Sequence, residues 1–145
     1  MIKALLFIFC SSLFTIWMLL SSPPNNSVDA YLITNLIQAE CTNCGEEDID
    51  YITYTVMNRT KSNKFPSTVH EVLFQSNQFK GLDRKVEAGA MINSYVYKRV
   101  LRNLSKEQVP KVLFFIAANC KSLNCETIKK NRTVVFSTNN HIYLK

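Results

Sequence analysis

Apolar positions along this chain fall into three textures. From Ala4 to Leu20 they are almost continuous, broken only by Ser11, Ser12 and Thr15. From Val28 to about Leu104 they recur mostly at helical spacing, and from Val112 they shorten into strand-like runs. A first helix is expected from Ser27 or Asp29, either of which caps the free amides at its start. It places Leu32, Leu36 and Ala39 on one stripe with Ile33 and Ile37 beside them, and Glu40 falls at its end. Glu46, Glu47 and Asp48 suit the positive end of a second helix. Ile49, Ile52, Val56 and Met57 keep helical spacing from there to about Lys61. The two helices are expected to run antiparallel across a cysteine-rich loop. Lys64 to Thr68 reads as a turn into another helix, with Thr68 and Glu71 as a capping box and Val69, Val72 and Leu73 as its buried face. Asn77, Gln78, Lys80, Gly81 and Asp83 read as loop. A long helix is expected from about Arg84 to Leu104, carrying Val86, Ala90, Tyr97, Val100, Leu101 and Leu104. Past Pro110, VLFFIA is a short strand, and Arg132 to Leu144 alternates as two strands around an Asn139-Asn140 turn. The class is α+β: mainly helical, with a small C-terminal β-sheet.

The first texture reads differently. Lys3, the 17-residue apolar run and the exit SSPPNN follow the order of an export leader. A run of this length lies at the lower edge for a spanning helix, roughly 17–25 residues, and no clean small-x-small cleavage site follows it. Residues 1–22 are therefore expected to be a signal peptide or a membrane anchor, both readings staying open. Residues 23–28 are the linker and residues 29–145 one domain, a length that supports a single hydrophobic core.

Charge and cysteine usage narrow the partners. Seventeen basic and 11 acidic residues leave a net charge of +6, which suits an anionic partner. No long Lys/Arg run and no interleaving of aromatic with basic residues points to nucleic acid. A wall polymer carrying carboxylates fits an exported chain better. Cys41, Cys44, Cys120 and Cys125 follow the leader, and an even count in an exported chain favours disulfides, with three pairings open. In a cytosolic chain the same CxxC and C-x4-C spacing would read as a four-thiolate zinc site. His70 and His141 are too scattered for a zinc amidase. A Cys–His amidase would need Cys41 or Cys44 activated by His141, and a CxxC beside two further cysteines supports that poorly. No metal and no cofactor is expected.

After the leader come Ala39-Glu40 at a helix end, Gly45-Glu46 just after, and Val56-Met57-Asn58-Arg59, then Phe65-Pro66-Ser67-Thr68, Gln78-Phe79 and Asn140-His141-Ile142-Tyr143. This succession resembles the SleB-like cell wall hydrolase family, the spore cortex-lytic type, and the pieces from Val56 on match it in order and spacing. The resemblance implies a lysozyme-like fold, cleavage of the glycan strand of peptidoglycan, and Glu40 as the catalytic acid/base. The chemistry of the position agrees. A general acid must hold its proton near neutral pH. A helix C-terminus and an apolar cleft both disfavour the carboxylate, whereas Glu46 and Glu47 at a helix start should stay ionised.

The chain departs from the family pattern where Cys41-Thr42-Asn43-Cys44 lengthens the loop after the glutamate. No second catalytic carboxylate is evident, and glycoside hydrolases need two at roughly 5–9.5 Å. A lytic transglycosylase needs one acid/base, because the sugar's own 6-hydroxyl displaces the leaving group, so that mechanism is favoured. Gln78 is a candidate to hydrogen-bond a sugar N-acetyl group. His141 and Tyr143, which alternate with Asn139 on one side of the last strand, are further substrate-binding candidates, with a structural hydrogen bond as the alternative for His141. Asn58 and Arg59 are expected to hold the fold by capping carbonyls and bridging to an acid. Cys41/Cys44 and Cys120/Cys125 are expected to pair as disulfides pinning loops beside the cleft. The resulting expectation is an exported or membrane-tethered monomer acting on peptidoglycan, of a kind that would also suit a phage-type enzyme held at the membrane. Rival readings are a muramidase-type hydrolase, an amidase, and a degenerate or zinc-clasped wall-binding module.

Overall fold

A computed structural model describes residues 26–76, 78, 79, 82, 86, 89 and 91–145. Among the described residues the elements with defined bounds run in the order α1 (Asn26–Glu40), α2 (Glu46–Thr60), α3 (Val69–Leu73), α4 (Ser94–Leu104), β1 (Phe114–Ala117), α5 (Leu123–Lys130), β2 (Val134–Ser137) and β3 (His141–Leu144). The first turn of α1 takes in residues 26–28, assigned above to the linker. The expected leader, residues 1–22, lies outside the described residues. Among those described, no helix is long and apolar enough to cross a membrane.

Helices α1 and α2 each pack against α3 and α4, which explains their apolar stripes. Ile33, Leu36, Ile52, Val56, Val72 and Val100 are all fully buried in the resulting core. The stripe includes hydroxyls where they satisfy themselves: Thr34 donates to the Ala30 carbonyl at 2.7 Å and Thr53 to that of Ile49 at 2.7 Å. A charged lock joins α2 to α4. Arg99 donates to both oxygens of Asp50, at 2.6 and 2.8 Å, and Asn103 adds a third bond at 2.7 Å. Thr68 caps α3 as expected, accepting from the Glu71 amide at 3.2 Å.

Two helix expectations need correction. The long helix expected from about Arg84 does not run unbroken to Leu104: its last part, α4, starts afresh at Ser94. Gly89 turns the chain with a positive φ of 59°, a conformation favoured by glycine, and Asn93 then caps α4 by accepting from the amides of Tyr95 and Val96 at 3.0 and 3.2 Å. Gln38 on α1 fixes that start, bonding the Met91 carbonyl at 3.0 Å and the Asn93 amide at 3.1 Å. Helix α5 was not anticipated. Its signals are local ones, Ser122 accepting from the Cys125 amide and Lys129 and Lys130 in the last turn.

The strands form an antiparallel sheet in the order β1-β3-β2. Phe115 and Phe136 both pair with Tyr143, and a register shift lies between Val134 and Phe136. The sheet meets the helices along α2, where Tyr51 stacks on Phe136 with ring centroids 4.5 Å apart. Because Asn93 sets where α4 begins, Asn93→Ala is expected to cost about 1 kcal/mol of stability, a typical capping loss. Urea denaturation checks this, and an unchanged midpoint would return the start of the helix to its hydrophobic pattern.

Candidate active site

A cleft of about 300 Å³ opens between the end of α1, the end of α2 and the sheet. Glu40 enters it from the last residue of α1. The Cys41 amide still donates to the Ile37 carbonyl at 3.0 Å, so helical bonding persists just past Glu40 and the carboxyl stands at the negative end of the helix. Burial raises the Glu40 pKa, and the charge of nearby His141 opposes the rise. The first helix thus supplies a carboxyl group that retains its proton to higher pH than an ordinary glutamate. Glu46, at the start of α2, behaves in the opposite way: hydrogen bonds from Tyr95 and Arg99 lower its pKa.

Facing Glu40 are the β1 residues Phe115, Ile116 and Ala117, with His141 from β3. Gln78 and Phe79 close one end together with Arg59 from the last turn of α2, and Cys125 and Ile128 of α5 contribute to the same lining. Both disulfides adjoin this space. Cys41–Cys44 closes the turn directly after Glu40, and Cys120–Cys125 ties the end of β1 to α5. The pairing is the one expected.

His141 is held from behind. Asp48, at the start of α2 and only 2% exposed, accepts four hydrogen bonds. They come from the Thr138 hydroxyl at 2.7 Å, Asn140 Nδ2 at 2.8 Å, His141 Nδ1 at 3.1 Å and the Tyr143 hydroxyl at 2.7 Å. Burial alone would raise the Asp48 pKa; the four donors outweigh it and leave the carboxyl below its ordinary value. An ionised carboxylate only accepts, so Nδ1 of His141 donates to it and the other side of the ring is left to the cleft.

Three of the four expected site residues therefore share the cleft: Glu40, Gln78 and His141. Tyr143 does not. It is 0% exposed in the core, its hydroxyl is committed to Asp48, and that bond together with burial raises its pKa. Asn58 and Arg59 do cap carbonyls. Asn58 donates to Pro110 and Val112 at 2.8 and 3.0 Å, and Arg59 Nε to Leu113 at 2.8 Å. Among the described residues no acid pairs with Arg59; its guanidinium lies 4.9 Å from the Phe65 ring centroid and 5.4 Å from that of Phe79. Asp48 escaped the sequence reading as a site residue, since three consecutive acids after a glycine read equally well as a solvated helix start. The one signal was the polar cluster Thr138 to His141, whose donors need a buried acceptor.

The donor chemistry also decides between the cysteine readings. Cys41, Cys44 and Asp48 form the one described group with ligand atoms close enough to share a metal. Both sulfurs are bonded to each other and Asp48 is saturated by donors, so this trio is a clasp beside a hub. Cys120 and Cys125 do not join it, which leaves the four-thiolate zinc clasp without its geometry. The thiol-nucleophile reading loses its thiolate to the Cys41–Cys44 bond.

A family profile described as Cell Wall Hydrolase matches residues 47–144, a span that begins beyond Glu40 and includes Asp48, Arg59, Gln78 and His141. Among solved structures, the fold is similar to the catalytic domain of the germination-specific lytic transglycosylase SleB from Bacillus anthracis. That pair has 21% sequence identity and a TM-score of 0.66, covering 86% of this chain and 98% of the other. The catalytic domain of the Bacillus cereus SleB protein is similar to the same degree, with 21% identity, a TM-score of 0.67, and coverage of 86% and 94%. Among curated proteins none matches the sequence. The fold is thus lysozyme-like.

Replacing Asp48 by Asn should destabilise the protein by about 3 kcal/mol, since a buried charged acceptor is lost to four donors. The sign of the pH dependence follows from its depressed pKa. The stability Asp48 confers is present above its ordinary value of 3.8 and lost as pH falls through the lower folded value. Urea titrations between pH 2 and 7 should show that loss in the wild type and a flatter profile in Asp48→Asn. Parallel profiles would remove the hub from this role.

Proposed function

Because the chain belongs to the cell wall hydrolase family, we propose that it cuts the glycan strand of peptidoglycan as a lytic transglycosylase. The observation that carries this reading is Glu40, a half-buried carboxyl with a raised pKa and the one carboxylate among the described residues of the cleft. Glu40 donates its proton to the glycosidic oxygen between muramic acid and glucosamine as the C1–O bond breaks. The resulting carboxylate then takes the proton of the muramic 6-hydroxyl as that oxygen bonds to C1. The products are a 1,6-anhydromuramic end and a free glucosamine 4-hydroxyl, and Glu40 is protonated again. The similar SleB structures, one of them the catalytic domain of a lytic transglycosylase, support this route over hydrolysis by two carboxylates.

His141 supports substrate through Nε2 while Asp48 holds Nδ1 and so the ring's orientation, and Gln78 offers an amide in the same cleft. The chain acts as a monomer at the cell wall after export. Two disulfides in the described domain support an oxidising compartment, and the N-terminal apolar run serves as signal or anchor.

Glu40→Gln is expected to lower the clearing of peptidoglycan in a zymogram by about 10²–10⁴-fold, the usual contribution of a general acid. The product released by the wild type should be one water lighter in mass than the hydrolysis product. A product that retains the water makes the enzyme a muramidase-type hydrolase, and equal clearing by both proteins removes Glu40 from catalysis. The alkaline limb of the activity profile should lie above pH 4.5, the ordinary glutamate value, because Glu40 must be protonated to act.

A further inference from the structure

Arg59 is 4% exposed, yet it lines the cleft and has no described acid beside it. Two of its nitrogens are committed: Nε donates to the Leu113 carbonyl at 2.8 Å, and Nη1 donates to Gln78 Oε1 at 3.3 Å. The rings of Phe65, Phe79 and Phe114 lie 4.9, 5.4 and 5.7 Å from Cζ. Such faces offset part of a guanidinium's desolvation but do not engage its in-plane N–H groups. Nη2 bonds no described residue. It is also not one of the sealed, unpartnered polar atoms, which are Asn35 Oδ1 and Gln75 Oε1. Arg59 lines the cleft, and Nη2 is the nitrogen of its fork left without a described partner. A buried cation without its own counter-ion is costly, and a planar donor fork matches a carboxylate.

We propose that Arg59, oriented by Leu113 and Gln78, binds a carboxylate on the glycan strand, namely the lactyl carboxylate of a muramic residue that has lost its stem peptide. This rests on the glycan-cleaving reading above. The lactyl group is carried on the same sugar ring whose C1 is attacked, so one cleft must hold both. No ion pair among the described residues joins Arg59 to Glu40, and Arg59 is not among the groups that shift the Glu40 carboxyl. On a peptide-bearing strand the lactyl carboxyl is an amide, neutral and blocked by the peptide. An amide hydrolysis must therefore come first: water adds, the lactyl C–N bond breaks, and the carboxylate and the peptide's amine separate. The burial of Arg59 also lowers its own pKa to about 10, which leaves it charged at neutral pH.

The test uses the wild-type protein and three glycan preparations. One carries stem peptides, the second has been freed of them by an amidase, and the third is the freed strand with its carboxylates coupled to methylamine. The freed strand should show a KM lower by about tenfold than either of the others, as one charge-assisted pair supplies, and added salt should shrink the difference. In Arg59→Lys, with folding checked by circular dichroism, the ratio of KM for the second and third strands should fall towards one. Equal KM for those two strands in the wild type, or a lower KM for the peptide-bearing strand, overturns the carboxylate site and leaves glycan cleavage standing. If no strand is cut, glycan cleavage fails instead. Calorimetric binding of the second and third strands then judges the site alone, equal affinities overturning it.

Discussion

A carboxylate taken out of water must have its oxygens met by donors, and much of this structure follows from how Asp48 meets that demand. Its four donors come from Thr138, Asn140, His141 and Tyr143, a span of six residues that contains the turn between β2 and β3. The hydrogen bonds join the sheet to the start of α2 at one point. They also sort the alternating side chains of β3. Tyr143 is drawn fully into the core, where Tyr51 and Phe115 pack near it, while His141 is held by one nitrogen and lines the cleft with the rest of its ring.

The cleft is thus assembled from parts that are rigid for different reasons. Glu40 is carried by a helix end, His141 by a hydrogen-bonded carboxylate, and Arg59 by a carbonyl, an amide oxygen and three aromatic rings. The two disulfides constrain the segments between these parts, the turn after Glu40 and the passage from β1 to α5. Electrostatics keeps the roles separate. Burial favours the protonated form of Glu40, whereas hydrogen bonding favours the ionised form of Asp48, two carboxyls on neighbouring elements driven in opposite directions.

The helices α1, α2 and α3 were legible because an amphipathic helix announces itself within a dozen residues, through spacing and caps. The hairpin around Asn139-Asn140 was legible for a similar reason, alternation on either side of turn residues. The start of α4 was not, since the periodic residues Val86 and Tyr97 stay in phase across Gly89 and Asn93. Only the capping bonds of Asn93 and its tie to Gln38 on α1 show where the helix begins. Helix α5 was missed because one buried residue, Cys125, gives no stripe to read.

For the site, the sequence by itself determined the local facts. Glu40 ends a helix, the cysteines come in two close pairs, and the charged and apolar pattern makes one α+β domain rich in helix. These depend on neighbours a few positions apart, so the order of residues carries them. The partners of buried charges belong to the tertiary structure alone. Asp48 reaches donors some 90 residues away, and Arg59 finds Leu113 about 54 residues on. Which of three consecutive acids turns inward, and whether an arginine meets a carboxylate or a carbonyl, is decided by chain segments that packing brings together. The energy at stake is desolvation, which no short stretch of sequence contains.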